Sequence, residues 1–330
     1  MIGKQNPQFS ILDGALNSRK KRCRTETLLE KINKFVQWDK LEALCTGMYR
    51  DTKRGHPSLP IVVALKCLFL QFLYNLGDPA LEDALIDRLS FQRFIGISFD
   101  REIPDYSTIW RFRDRLIKAN ILTTIFEEII RELDEHGVIL RKGTLIDATI
   151  VQAARKPKNH HKVPEHSSQK SAQQDYDAKA TKKGGTMYYG YKGHIATDEG
   201  SNIIRKTIFT PANVHDSREL DTLICGDERS VFADKAYADD DVKRKLRQKG
   251  VYCGILDKGR RGRQLSQKQK HTNKQKSKVR NAVERPFAHF KKLMGYVRVR
   301  YVNLERNELH FTFLCILHNI RRGIALTMTT

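Results

Sequence analysis

The stretch Gly143-Thr144-Leu145-Ile146-Asp147-Ala148-Thr149-Ile150-Val151 decides the fold. Its apolar and β-branched residues suit a buried, pleated environment, so it predicts a short strand. Asp147 stands in the middle of it. An ionised carboxylate in that place either points into water from an edge strand or needs compensation by a partner charge, hydrogen bonds or a metal ion. The rest of the chain bears on that choice.

The chain has 330 residues, enough for two domains, and either could bury its own core. Against 38 Asp and Glu it carries 60 Lys and Arg, a formal charge of +22. Such an imbalance predicts a polyanionic partner, either nucleic acid or an anionic membrane surface. No amphipathic Lys/Trp helix stands out, which favours nucleic acid. The N-terminus lacks the apolar core of a signal peptide. The longest apolar run, 59–76, includes Lys66, Gln71 and Asn75 and reads as a core helix, not a membrane span. Cys23, Cys45, Cys67, Cys225, Cys253 and Cys315 are scattered without a C-x-x-C pair. That spacing predicts free thiols in a reducing, cytoplasmic compartment rather than disulfides or a zinc site.

Residues 1–24 read as a basic flexible arm ending in Arg19-Lys20-Lys21-Arg22-Cys23-Arg24. Residues 25–137 are helical in pattern, beginning with Leu28, Leu29, Ile32, Phe35 and Val36 at helical spacing. Asp78-Pro79 reads as a helix N-cap followed by Pro at the first helical position. Pro104-Asp105-Tyr106-Ser107-Thr108 starts another helix, with Ile109, Phe112 and Leu116 as its apolar side. Arg111, Arg113, Arg115 and Lys118 are expected on its outer face, an arrangement suited to a DNA major groove or to ordinary solvation.

From residue 138 to 330 strands and helices are mixed. A polar insertion over 155–183 reads as a long exposed excursion. It holds His160, His161 and His166 beside Glu165, without a metal-binding spacing. Tyr188, Tyr189 and Tyr191 lie on the first strand of a hairpin and read as sheet packing. Asp216-Ser217 reads as a helix cap, with His215 and Asp216 as candidate assistants to a site. The run 230–234 is a strand ending in Asp234, with Lys235 next to it, and 251–256 is a last strand. A basic loop over 258–276 leads to a helix starting near Ser277. Ten basic residues and no acid lie between 258 and 280, a run that stays solvated unless it meets phosphates.

Three acids stand out: Asp147, Asp234 and Glu284. If the first and fourth strands are neighbours, Asp147 and Asp234 face each other, and Glu284 can reach the same spot from a helix. Converging carboxylates repel unless cations lie among them, and hard oxygen ligands suit Mg²⁺ or Mn²⁺. Two such ions about 4 Å apart serve phosphodiester cleavage and transfer. Arg280 and Lys291, at offsets of minus four and plus seven from Glu284, can share its helix face. They read as DNA contacts near the scissile bond.

The strings Asp147-Ala148-Thr149, Tyr189-Gly190-Tyr191-Lys192-Gly193-His194-Ile195-Ala196-Thr197-Asp198, Thr210-Pro211-Ala212-Asn213-Val214-His215-Asp216-Ser217 and Ala233-Asp234-Lys235-Ala236-Tyr237 occur in this order. Val283-Glu284-Arg285-Pro286-Phe287 and Val297-Arg298-Val299-Arg300-Tyr301 follow. Together they resemble the IS5 family of bacterial insertion-sequence transposases. The resemblance implies an all-helical N-terminal region that helps to recognise terminal inverted repeats. It also implies an RNase H-like mixed-sheet domain with a DDE triad, by motif Asp147, Asp234 and Glu284. The Y-R-E-K pattern of the wider IS4-like group is matched by Arg280, Glu284 and Lys291, with Ser277 at the tyrosine position. The implied activity is metal-dependent cleavage and strand transfer of double-stranded DNA, with two Mg²⁺ or Mn²⁺ ions, by a homodimer in the bacterial cytoplasm. The alternatives are a non-catalytic DNA-binding regulator on the same scaffold, or an RNase H-like nuclease that cuts without joining.

Overall fold

A computed structural model describes residues 27–49, 58–98, 101–155, 174–259 and 264–327. The expected basic arm, His160, His161, Glu165, His166 and residues 260–263 of the basic loop lie outside the described residues. The chain divides into two compact units, 1–136 with 323–330, and 137–322.

The first unit is helical: α1 (Leu28–Phe35), α2 (Trp38–Cys45), α3 (Ile61–Leu73), α4 (Asp78–Asp87), α5 (Leu89–Ile95), α6 (Tyr106–Lys118) and α7 (Leu122–Glu135). Thr27 and Glu30 form a reciprocal capping box at the start of α1. Every residue of α3 is buried, as an element apolar on all sides requires. Its single cation, Lys66, lies 4.9 Å over the Trp38 ring, and burial pulls its pKa down to about 8. Among the described residues no single helix is long and apolar enough to cross a membrane.

Two expectations for this unit change. Gly77, not Asp78, is the N-cap of α4. The Asp78 carboxylate is used elsewhere, accepting from Arg113 Nη1 at 2.8 Å and Nη2 at 2.9 Å. Arg113 is therefore not on the outer face of α6: it is 1 % exposed, and its Nη1 also reaches Gln71 Oε1 on α3 at 3.1 Å. At a hundred degrees per residue, Arg113 follows Phe112 around to the buried side. Arg111, Arg115 and Lys118 are exposed as expected, and Asp105 caps the helix by accepting from Thr108 N.

The second unit is built on a mixed sheet with flanking helices, as expected. Its elements are β1 (Thr144–Gln152), β2 (Lys179–Lys183), β3 (Thr186–Asp198), β4 (Ile204–Pro211), the single turn α8 (Leu220–Leu223), β5 (Ser230–Ala233), α9 (Asp240–Gln248), β6 (Tyr252–Cys253), α10 (Gln267–Arg280), α11 (Glu284–Lys292) and α12 (Leu304–Thr327). The part of α12 up to Arg322 belongs to this unit. β1 pairs antiparallel with β3, and β3 with both β4 and β2. On its other edge β1 pairs in parallel with β5, which pairs in parallel with β6.

Ile146, Ala196, Val231 and Ala233 form one face of the sheet and pack on Leu220, Leu223, Val242 and Leu246 of α8 and α9. The strand period of two places Asp147 on the opposite face. On β3, a Cβ at Gly193 would stand 2.4 Å from the Phe311 ring of α12, so glycine there lets helix and sheet meet.

The described parts of two polar segments form more regular structure than their composition suggests. The insertion expected over 155–183 includes β2, and Asp175 is fully buried, accepting from the Tyr191 hydroxyl at 2.7 Å. The basic loop expected over 258–276 becomes helix from Gln267, with Ser266 and Gln269 forming a capping box. Lys and Gln are good helix formers and the cap supplies a start, so the helix forms without an apolar periodicity.

The buried Arg113 gives the first prediction. Arg113→Ala takes the buried counter-charge from the Asp78 carboxylate, which keeps its hydrogen bond from Gln71 Nε2 at 2.5 Å, and lowers the unfolding free energy by about 3 kcal/mol, whereas Arg111→Ala stays within about 0.5 kcal/mol. Denaturant unfolding of both variants checks it; equal, small losses would contradict the placement.

Candidate active site

The parallel register of β1 on β5 ends at Ile146 opposite Ala233. Asp147 and Asp234 are each the next residue, so the two carboxylates stand at adjacent positions of neighbouring strands. Asp234 then opens a 3₁₀ turn, Lys235–Tyr237, with Tyr237 N donating to its carbonyl at 3.0 Å. Beyond β6 the ladder continues as Leu256 N donates to Ala233 O at 3.1 Å, which fixes the strand end that carries Asp234.

Asp147 is half-buried. Its Oδ1 accepts from Ala148 N at 2.9 Å and its Oδ2 from Arg280 Nη1 at 3.1 Å. Burial pushes its carboxyl above the ordinary range, and the Asp234 charge adds to that; the Ala148 N–H and the Arg280 guanidinium pull the other way. The negative charge on Asp147 is thus incompletely compensated. Arg280 Nη2 lies 3.7 Å from Glu284 Oε1, so one guanidinium joins Asp147 to Glu284. The Arg280 side chain is 14 % exposed and that of Glu284 is 64 % exposed. Among the described residues no three His, Cys, Asp or Glu side chains are gathered closely enough to hold a metal ion. The donor chemistry nevertheless suits a hard divalent cation, with two adjacent carboxylates and a third on an exposed arm beside them.

Glu284 occupies a break between helices. Pro286 lacks the N–H that would bond the Ala282 carbonyl in a continuous helix, and residues Asn281–Val283 form a 3₁₀ turn. The Asn202 amide, oriented by its network, donates to Ala282 O at 3.0 Å and accepts from Arg285 Nη1 at 3.1 Å. Asn202 sits at φ 58° in the β3–β4 turn, and its carbonyl lies 3.0 Å from His318 Nε2. The hairpin turn thereby holds the segment on either side of Glu284. Lys291 is exposed in the last turn of α11, seven residues after Glu284, and Lys235 is exposed beside Asp234.

The residues expected to assist lie in a neighbouring network. His215 caps the 3₁₀ turn Asp216–Glu219, its Nδ1 accepting from Ser217 N at 3.3 Å, so capping belongs to His215 and not to Asp216. Asp216 Oδ1 pairs instead with Lys192 Nζ at 2.8 Å, and Lys192 also donates to Val214 O at 2.7 Å. His194 bridges the Tyr237 hydroxyl at 3.2 Å and the Thr210 hydroxyl at 3.1 Å. Burial holds the Tyr237 hydroxyl well above its usual range, and Asp216, Asp147, Asp234 and Glu219 all add to this. Lys192, His194, Thr210, Asp216 and Tyr237 come from three of the quoted strings. Their spacing showed only that the strings exist; the hydrogen bonds show that they tie β3 and β4 to the turn after Asp234. Tyr189 and Tyr191 pack in the sheet, with Tyr191 stacked on Phe209 at 5.2 Å between ring centres.

Burial keeps His194 neutral and lowers its pKa to about 4, while the unfolded chain protonates near 6.5. Its contribution is complete above pH 6.5 and is lost as pH falls through the window down to about 4. The expected loss across that window is about 3 kcal/mol at most. His194→Gln flattens this part of the stability–pH curve, measured by denaturant unfolding between pH 7 and pH 4; an unchanged slope would contradict the neutral, buried imidazole.

A family model described as a transposase DDE domain matches residues 140–320, which include Asp147, Asp234 and Glu284. A second, described as a transposase domain (DUF772), matches residues 17–115, within the helical unit. The first match alone takes in more than half of the 330 residues, and the chain belongs to the DDE-domain transposases.

Proposed function

We propose that this chain is the transposase of a bacterial insertion sequence of the IS5 family. It binds the terminal inverted repeats of its element, cleaves DNA there and transfers the freed 3′-end to target DNA. The observation that supports this reading is the β1–β5 register, whose last pair, Ile146 with Ala233, immediately precedes Asp147 and Asp234. Without β2, the strand order β4-β3-β1-β5-β6, with β5 and β6 parallel to β1, supports the RNase H-like assignment.

Asp147, Asp234 and Glu284 would hold Mg²⁺ or Mn²⁺, and two ions suit a two-ended phosphoryl transfer. Such ions, when bound, activate the attacking oxygen and stabilise the leaving one. The protein's own groups do the positioning. Arg280 exchanges its two carboxylates for a DNA phosphate, an anion that matches its fork equally well. Lys235 and Lys291 supply further cations at the rim; the strand ends position Asp147 and Asp234, and Glu284 closes on them when Arg280 lets go. In the helical unit, exposed Arg111 and Arg115 contact DNA; buried Arg113 does not. Two element ends must be held together, so the working form is a homodimer, acting at the nucleoid in the bacterial cytoplasm.

The Arg280–Asp147 pair and the open arrangement of the acids favour a second reading, a DNA-binding regulator without catalysis. A plasmid carrying the DNA that flanks the gene decides between them. The wild type is expected to nick it in Mg²⁺ or Mn²⁺ and to give joined products, while Asp147→Asn binds the same ends but nicks at the no-enzyme background. Binding without nicking by the wild type supports the regulator. Nicking without joined product supports a nuclease, and equal nicking by Asp147→Asn overturns the site.

A further inference from the structure

α10 is an unusual helix. Its residues include Lys268, Lys270, Lys274, Lys276, Lys278 and Arg280 and no acid, and none of them is buried. A helix in a folded unit normally gains its stability from an apolar face. This one is held by polar contacts along one side. Asn273 donates to Asp257 O at 3.0 Å and accepts from Asp257 N at 2.9 Å. Lys276 Nζ donates to Ile255 O at 3.1 Å, and Arg280 reaches Asp147. Residues 273, 276 and 280 recur at helical spacing and make the attached face.

Lys270, Lys274 and Lys278 recur at every fourth residue on the exposed remainder of the helix. Like charges at that spacing repel and weaken an isolated helix. No acid on the helix offsets them, so the stripe costs stability in the free protein and gains it only against a polyanion.

We infer that the Lys270–Lys274–Lys278 stripe is a binding surface for the phosphate backbone of duplex DNA immediately beside the acids. The inference rests on the proposed DNA substrate and adds the surface that holds it. With 1.5 Å of rise per residue, Lys270 lies about 15 Å along the helix from Arg280. A duplex advances about 3.4 Å per base pair, so the stripe covers about four base pairs next to the position marked by Arg280. The contacts are to phosphates and carry no sequence preference: they hold the duplex, and base recognition lies elsewhere.

The test uses the full-length chain and a fluorescein-labelled 30-base-pair duplex of arbitrary sequence, with binding followed by anisotropy in EDTA across a range of KCl. Lys270→Gln/Lys274→Gln/Lys278→Gln is compared with wild type and with Lys245→Gln/Arg247→Gln/Lys249→Gln. The latter removes the same charge from α9 and the residue that caps its C-terminus; the buried side of α9 packs on the sheet face opposite Asp147. Three lost phosphate contacts make the log affinity against log salt plot shallower by about 2.7, and binding at 0.1 M salt weaker on the order of 10²-fold. The α9 triple is expected to shift the slope by less than about one phosphate equivalent. Far-ultraviolet circular dichroism and Tm of the α10 triple stay level or rise, because repulsion has been removed, so weak binding is not read as unfolding. If the two triples have the same slope, the inference is wrong and the proposed function stands. If the wild type does not bind the duplex, both fall. If the slope changes as expected but the wild type nicks nothing in Mg²⁺, the surface stands and the catalytic reading falls.

Discussion

The parallel pairing of β1 with β5 is the constraint on which the second unit depends. Pairing in parallel brings two residues far apart in sequence to the same level of the sheet, and the last pair, Ile146 with Ala233, delivers Asp147 and Asp234 to adjacent positions. The pairing is secured from below by Ile146, Val231 and Ala233 packing on α8 and α9. Because strand side chains alternate, the burial that anchors Ile146 also forces Asp147 to the other face. A slip of one residue would exchange the two, burying a carboxylate in the apolar cluster.

Arg280 shows how the unit tolerates this arrangement. Two neighbouring acids, both half-buried, raise the cost of charge at Asp147. A single guanidinium lowers it, and its other nitrogen lies 3.7 Å from Glu284. The break before α11 leaves Glu284 exposed at the start of that helix, and the Asn202 contacts hold the residues on either side of it. The supporting network of Lys192, His194, Thr210, Asp216 and Tyr237 ties β3, β4 and the turn that follows β4 to the turn after Asp234.

Much of this was legible from residues alone. The strand around Asp147, the hairpin at 186–211, the helical first unit and the capping role of Asp105 follow from apolar periodicity and turn chemistry, which act locally. What escaped reading acts across the chain. Nothing near Arg113 in sequence announces Asp78 and Gln71, so its cation looked like surface charge. Asp216 looked like a cap because its neighbours suit one, whereas Lys192 lies 24 residues away along the chain. α10 was missed because its stability comes from caps and polar staples, without the apolar stripe on which helix recognition relies. The three acids could be nominated by type and motif, but only the strand register puts two of them together.

The most direct test of the claim that Asp147, Asp234 and Glu284 serve as one centre is to find where a redox-active divalent ion damages the backbone. Fe²⁺ with ascorbate and peroxide, added to the intact protein with DNA, cuts polypeptide next to the residues that hold the ion. Cuts close to all three positions, suppressed together by excess Mg²⁺, are the expected result. Cuts near only one of them, or a pattern that Mg²⁺ leaves unchanged, would contradict a shared centre.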